Sequence, residues 1–135
     1  MQKAVTSPIR PCVDPANFPN STNIDNPFFP PKPGTTLIYG SNTQHIEFAV
    51  IHNTKVILGV TCVEVHDTVT VNGDLTEDTL DWFAQDKDGN IWYFGENTHE
   101  LEDGLTTNID GTFTAGVDGA KPGIIRVELI QITTQ

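Results

Sequence analysis

Asp81-Trp82-Phe83-Ala84-Gln85-Asp86-Lys87-Asp88-Gly89-Asn90-Ile91-Trp92-Tyr93-Phe94-Gly95-Glu96 is the stretch that decides the fold. It reads as two aromatic-rich strands joined by a Lys-Asp-Gly-Asn turn, and it holds both tryptophans. Aromatic runs flanking a short connection that contains Gly are a hairpin signal. Glycine supplies the positive φ that such a turn requires.

Outward from this hairpin the chain keeps alternating and turning. Asn72-Gly73 is a type I′ signal, because both central residues of that turn need positive φ. It joins a strand at about 75–86 to a long one at about 55–71 that bends near Gly59. Asn53-Thr54 reads as a tight turn back to a strand at 44–52, and another strand precedes it at 35–41. On the other side, Glu102-Asp103-Gly104 turns into a strand at 105–115, and Ile124 to Thr133 forms a last β-branched strand. No window shows a 3.6-residue apolar period. The expected fold is all-β: an antiparallel meander forming a barrel-like or strongly curved sheet over 35–135.

Residues 1–34 are of a different kind. Pro8, Pro11, Pro15, Pro19, Pro27, Pro30, Pro31 and Pro33 fix φ and remove backbone donors, which predicts an extended arm. Phe28 and Phe29 give that arm a surface with which to pack on the body.

The turns also predict a register, and register decides which residues share a face. Folding at Asn53-Thr54 sets His45 opposite Cys62. Folding at Asn72-Gly73 sets Glu64 opposite Asp81 and Val63 opposite Trp82. A four-residue loop at 87–90 sets Asp81 opposite Glu96 and Phe83 opposite Phe94; a three-residue loop would send Glu96 to the other face. One face then carries Ile46, Phe48, Val50, Ile57, Val63, Val65, Leu80, Trp82, Ala84 and Tyr93 as the core. The other brings together His45, Glu47, Glu64, His66, Asp81 and Glu96 at one end and Phe83, Trp92 and Phe94 at the other.

Glu64, Asp81 and Glu96 side by side on adjacent strands repel by up to roughly 1 kcal/mol per pair. Such a row is stable when water solvates it, a cation neutralises it, or one member holds a proton. With His45 and His66 as nitrogen donors it is a candidate site for a divalent transition metal; the carboxylates alone suit calcium. Asp81 and Glu96 are also the candidate catalytic pair of a glycan-acting hydrolase, since cross-strand neighbours have the spacing of a retaining mechanism. A solvated acidic face is the plainer reading of the same residues. Phe83, Trp92 and Phe94, with Phe28 and Phe29, are a candidate platform for a sugar or an apolar small molecule, or the surface on which the arm packs.

Asp86-Lys87-Asp88-Gly89-Asn90 has oxygens at alternate positions like a calcium loop. Its glycine falls at the fourth place instead of the sixth, so turn chemistry accounts for it better. There is no Gly-x-Ser-x-Gly and no phosphate-binding glycine loop. Cys62 opposite His45 allows a reactive thiolate, although a buried structural cysteine is the commoner state. Cys12 and Cys62 are the only cysteines; they could pair and pin the arm to the sheet, but two cysteines in a chain of this size decide no compartment.

With 135 residues the chain suits one domain, and its net charge of −11 argues against nucleic acid or an anionic membrane as partner. No apolar run is long enough to span a bilayer, and Met1 to Val5 has no hydrophobic signal core.

Asn26-Pro27-Phe28-Phe29-Pro30 with Lys32-Pro33-Gly34-Thr35, the run Asp81 to Glu96, and Ala115-Gly116-Val117-Asp118-Gly119-Ala120-Lys121-Pro122-Gly123-Ile124 resemble a family of uncharacterised secreted bacterial proteins. The resemblance covers most of 26–124. It implies an extracytoplasmic location and brings no activity or catalytic residues. Members of that family continue past the Lys-Pro-Gly segment with further strands, so this chain is a short or truncated relative. An unclosed barrel with an exposed edge strand, or the arm, is then the expected route to self-association.

Overall fold

The computed structural model describes residues 13–26 and 32–125. They form one eight-stranded antiparallel sheet that curls into a half-barrel. The strands are β1 (Thr36–Gly40), β2 (Gln44–Ile57), β3 (Val60–Val71), β4 (Asp74–Gln85), β5 (Ile91–Glu102), β6 (Leu105–Asn108), β7 (Phe113–Thr114) and β8 (Gly123–Ile125). The first six follow one another in order, and β7 and β8 also pair with β5. The outer edge of β5 is therefore covered in turn by three short strands.

Two-residue turns set the meander. Asn72 and Gly73 have φ of 51° and 88°, and Asp103 and Gly104 have 53° and 79°. Both are the positive-φ pairs that a type I′ hairpin requires. A third such pair corrects the expected turn at Asn53-Thr54. Leu58 and Gly59 have φ of 52° and 80°, and Ile57 faces Val60 across them. β2 instead runs through 53–54, with a register shift between Val50 and Thr54. A β-branched threonine is a poor occupant of a positive-φ site, whereas glycine meets no such penalty.

Two further shifts decide the faces. On the Asn72-Gly73 hairpin Thr70 faces Leu75 as expected, but Val69 faces Glu77, so Thr76 is an inserted residue. Glu64 consequently faces Trp82 instead of Asp81. On the next hairpin Asp81 does face Glu96, but Phe83 faces Tyr93 because Phe94 is inserted between Tyr93 and Gly95. One inserted residue sends every side chain beyond it to the opposite face.

The single core face expected from the sequence is therefore two cores, one on each side of the sheet. The first face carries Ile57, Val60, Cys62, Trp82, Ala84 and Phe94, joined by Phe18 and Ala115. The second carries Val50, Val63, Val65, Phe83 and Ile91, joined by Ile24. Phe18 and Ile24 both come from the N-terminal segment, which crosses the end of the β4–β5 hairpin and puts one anchor on each face. Phe18 packs edge-on against Trp92 and Phe94, with ring centroids 5.6 and 5.7 Å apart. Between the anchors, Lys87 N–H donates to Asn17 O at 2.8 Å and Gln85 N–H to Ser21 O at 3.0 Å.

The described part of the arm is thus built into the domain. It is also not uniformly extended: Pro15–Asn17 make one turn of 3-10 helix, capped by Asp14, whose carboxylate accepts from Ala16 N–H. Phe28, Phe29 and Cys12, and with it the expected pairing to Cys62, lie outside the described residues.

Phe18→Ala should cost about 3 kcal/mol and Ile24→Ala about 2–4 kcal/mol of unfolding free energy, as buried aromatic and aliphatic truncations do. Urea titration followed by tryptophan fluorescence measures both. Losses under about 1 kcal/mol for each would show that the sheet does not need the arm.

Candidate functional site: an open edge strand and a proton-sharing triad

The residues expected to form one acidic row are divided by the sheet. His45, Glu47, Glu64 and His66 lie on the first face; Asp81 and Glu96 lie on the second. The first-face group is already engaged within the chain. Trp82 Nε1–H donates to Glu64 Oε1 at 2.9 Å, with Lys55 Nζ 4.2 Å from the centre of the Trp82 ring. His66 Nε2 lies 2.6 Å from Asp78 Oδ1, and His45 Nε2 lies 3.2 Å from Glu47 Oε2. Among the described residues no group of three or more His, Cys, Asp or Glu is placed to hold a metal ion. The set His45, Glu64, His66, Asp81 and Glu96 does not converge, because the residue inserted at Thr76 turned Asp81 away from Glu64.

The aromatic platform is divided in the same way. Phe94 is fully buried beneath Phe18, while Phe83 stacks on Tyr93 across the sheet, with ring centroids 5.0 Å apart. Trp92 Nε1–H is bound to Asp86 Oδ2 at 3.0 Å. The three rings serve the cores and the arm and do not make one open surface.

Asp86 settles the calcium-like loop as a turn. Its Oδ1 accepts from the backbone N–H of Asp88 and Asn90, and its Oδ2 from Asn90 Nδ2–H and Trp92 Nε1–H. Partial burial disfavours the charge, but these donors outweigh it and hold the carboxyl below its ordinary range.

Asp81 and Glu96 do meet, on the second face, and Tyr93 joins them. Tyr93 Oη lies 2.9 Å from Asp81 Oδ1 and 2.6 Å from Glu96 Oε1. A phenol has one proton, so it cannot donate to two ionised carboxylates at once. The single hydroxyl proton is therefore shared between the two contacts. Of the two carboxyls Asp81 is the more buried, only 8% exposed, and burial favours its protonated form. Desolvation is the largest effect on Asp81; Tyr93 opposes it, and the charges of Glu96, Asp67 and Glu77 reinforce it, pushing the carboxyl up to about 7. The Tyr93 hydroxyl is raised as well, first by burial and then by its carboxylate neighbours. Asp67 shares this face; its buried Oδ1 has no hydrogen-bond partner among the described residues, and burial raises it too.

A carboxylic acid with its proton poised near neutrality beside an ionised partner has the makings of acid–base chemistry. Here Asp81 is buried and Glu96 half-buried. β7 flanks the pair, with Phe113 facing Glu96 and packing edge-on against the Tyr93 ring at 5.3 Å. Gly95 is needed for that approach, since a Cβ there would stand 2.7 Å from the Phe113 carbonyl oxygen. None of the clefts along the arm, the β4–β5 turn or the β7 segment is lined by Asp81 or Glu96. Cys62 is likewise enclosed. It faces Lys55, not His45, and burial pushes its free thiol up to about 12.

The open feature is at the other side of the sheet. Every residue of β1 is exposed, and among the described residues the strand pairs only with β2. It presents Leu37, Ile38 and Tyr39, of which Ile38 is 61% exposed. Thr36-Leu37-Ile38-Tyr39-Gly40 contains no charge and no proline, the two devices that usually protect an edge. The sequence signal for this was present in the uncharged run itself. No family model, curated protein or solved structure matches the chain. No helix among the described residues is long and apolar enough to cross a membrane.

Asp81 yields a signed pH dependence. Its folded pKa lies above the unfolded value near 3.9, so the unfolded chain releases the proton first as pH rises. The stability associated with protonated Asp81 is complete below about pH 4 and is lost by about pH 7. Asp81→Asn, which cannot ionise, should match the wild type near pH 4 and exceed it by roughly 2 kcal/mol at pH 8. Urea unfolding at the two pH values measures this. An equal difference at both would mean that Asp81 does not hold the proton.

Proposed function

We propose that this chain is an extracytoplasmic assembly module that takes the strand of a partner onto the open edge of β1. The observation that carries the reading is the fully exposed, uncharged, apolar β1, paired on one side only. A sheet edge displays a row of unmatched N–H and C=O groups, and adding a strand satisfies them while side-chain contacts provide selectivity. The likeness of the Asp81–Glu96 and Ala115–Ile124 motifs to a secreted bacterial family supports the location.

The backbone pattern indicates which groups the partner would use. Val50 N–H donates to Thr35 O at 2.8 Å, and Ser41 N–H to Gln44 O at 2.8 Å. Alternation then turns Leu37 and Tyr39 toward β2 and leaves the N–H and C=O groups of Thr36, Ile38 and Gly40 pointing outward. The side chains of Leu37 and Tyr39 stand beside Phe48 and Ile46 on the second face, so an added strand would extend a half-buried apolar stripe.

A photo-cross-linking phenylalanine analogue in place of Tyr39, in the cells that produce the protein, should yield a discrete adduct. Ile38→Pro in the same chain should abolish it, since proline removes an outward donor without breaking a bond to β2. Absence of an adduct, or an adduct unaffected by Ile38→Pro, would remove the edge-strand function.

A further inference from the structure

Resting on the edge-strand reading above, we infer that the strand β1 receives is β1 of a second copy of this chain, antiparallel about a two-fold axis at Ile38. The outward groups are self-complementary. They belong to Thr36, Ile38 and Gly40, a set centred on Ile38 within a five-residue strand. In an antiparallel pair centred there, Ile38 exchanges both backbone bonds with the partner's Ile38, and Thr36 exchanges both with the partner's Gly40. No outward donor or acceptor of the strand is left over. Closed two-fold pairing of this type is the commonest symmetry of homo-oligomers.

Side chains fit the same register. Leu37 falls opposite the partner's Tyr39 on the second face, where Phe48, Ile46 and Val69 already stand in rows behind them. The half-exposed apolar stripe then runs unbroken across both copies. Ile38, 61% exposed, meets its own symmetry mate on the first face.

Charge permits self-contact at this edge. A chain of net charge −11 repels its own copies over most of its surface. Thr36–Gly40 has no ionisable side chain. The nearest acid behind Ile38 is Glu47 on β2, beside His45 at 3.2 Å. Its symmetry mate would be three strand spacings away, roughly 14 Å, beyond a screening length of about 8 Å at physiological salt.

The test uses the purified full chain. Light scattering after size exclusion should give a mass twice 14.8 kDa for the wild type. Ile38→Pro and Ile38→Lys should each give the monomer with an unchanged circular dichroism spectrum, the lysine variant by setting like charges face to face. Register is read by cysteine cross-linking in a Cys12→Ser background, where Cys62 is buried and its raised thiol does not compete. Ile38→Cys should oxidise to a covalent dimer, because paired Cα atoms about 5.5 Å apart are within disulfide reach. Thr36→Cys should not, since its symmetry mate is four residues out of register. A wild-type monomer at millimolar concentration, a dimer that survives both Ile38 substitutions, or equal cross-linking from Thr36→Cys overturns the inference. A Tyr39 adduct to a different protein from a monomeric chain would overturn self-pairing while leaving the edge-strand function standing.

Discussion

A single curved sheet has two faces to bury, and the N-terminal segment is what lets this one bury both. The constraint is met at Gln85, where the segment crosses the end of the β4–β5 hairpin. Gln85 Oε1 accepts from the backbone N–H of Asp25 and of Asn26, each at 3.1 Å, and its Nε2–H donates to Asp25 Oδ1 at 2.7 Å. With Gln85 N–H on Ser21 O, the residue is tied to the segment through backbone and side chain alike. Phe18 and Ile24 lie on either side of this knot and complete the two cores. Hydrogen bonds of this kind each contribute about 1 kcal/mol net, less than the burial of either apolar anchor. Gln85 fixes where the segment crosses, and the two anchors supply most of the energy.

The same crossing explains why a hairpin of this composition is stable. Trp82 and Phe94 point to one side, Phe83 and Tyr93 to the other. A one-sided sheet would leave half of those rings in water. Cover comes from the N-terminal segment at one end, and along β5 from the β7 region, which sends Phe113 to the second face and Ala115 to the first. Asp81 is buried as a result of that cover, with Asp67 and Glu96 half-buried beside it. Tyr93 makes the enclosure tolerable by sharing a proton between two of them, since an ionised pair left unmatched would cost far more than one neutral carboxyl.

How much of this could be read from residues follows from where the chirality of turns is encoded. Asn72-Gly73 and Asp103-Gly104 announce positive φ in both positions, and both turns lie where their residues place them. Leu58-Gly59 announces it in only one, and the more polar Asn53-Thr54 competes for the same turn. Inserted residues have no such mark. Thr76 and Phe94 look like ordinary strand residues, yet each reverses the alternation beyond it, and together with the run of β2 through 53–54 they turned one expected core face into two. The expected contact between Asp81 and Glu96 holds because two departures offset: the connection spans 86–90, one residue more than 87–90, and the insertion of Phe94 restores the register beyond it; their separation from Glu64 and His66 was not legible. Phe28 and Phe29 were the sign that the arm packs on the body; the anchors among the described residues are Phe18 and Ile24, two isolated apolar residues that no local pattern marks.

The edges of β5 and β1 are treated differently, and that difference bears on function. Along β5 the unpaired groups are met by β6, β7 and β8 in succession, with Gly95 kept free of a side chain so that β7 can approach. At β1 none of the usual protections is present: no charge in the strand, no proline, no inserted residue, no covering segment among the described residues. An acidic chain has ample means to place a carboxylate on an exposed strand, and placing one at Ile38 would have been sterically free. Leaving the outward-facing groups neutral keeps open a lateral contact at which a further strand adds backbone bonds and apolar area without bringing like charges together.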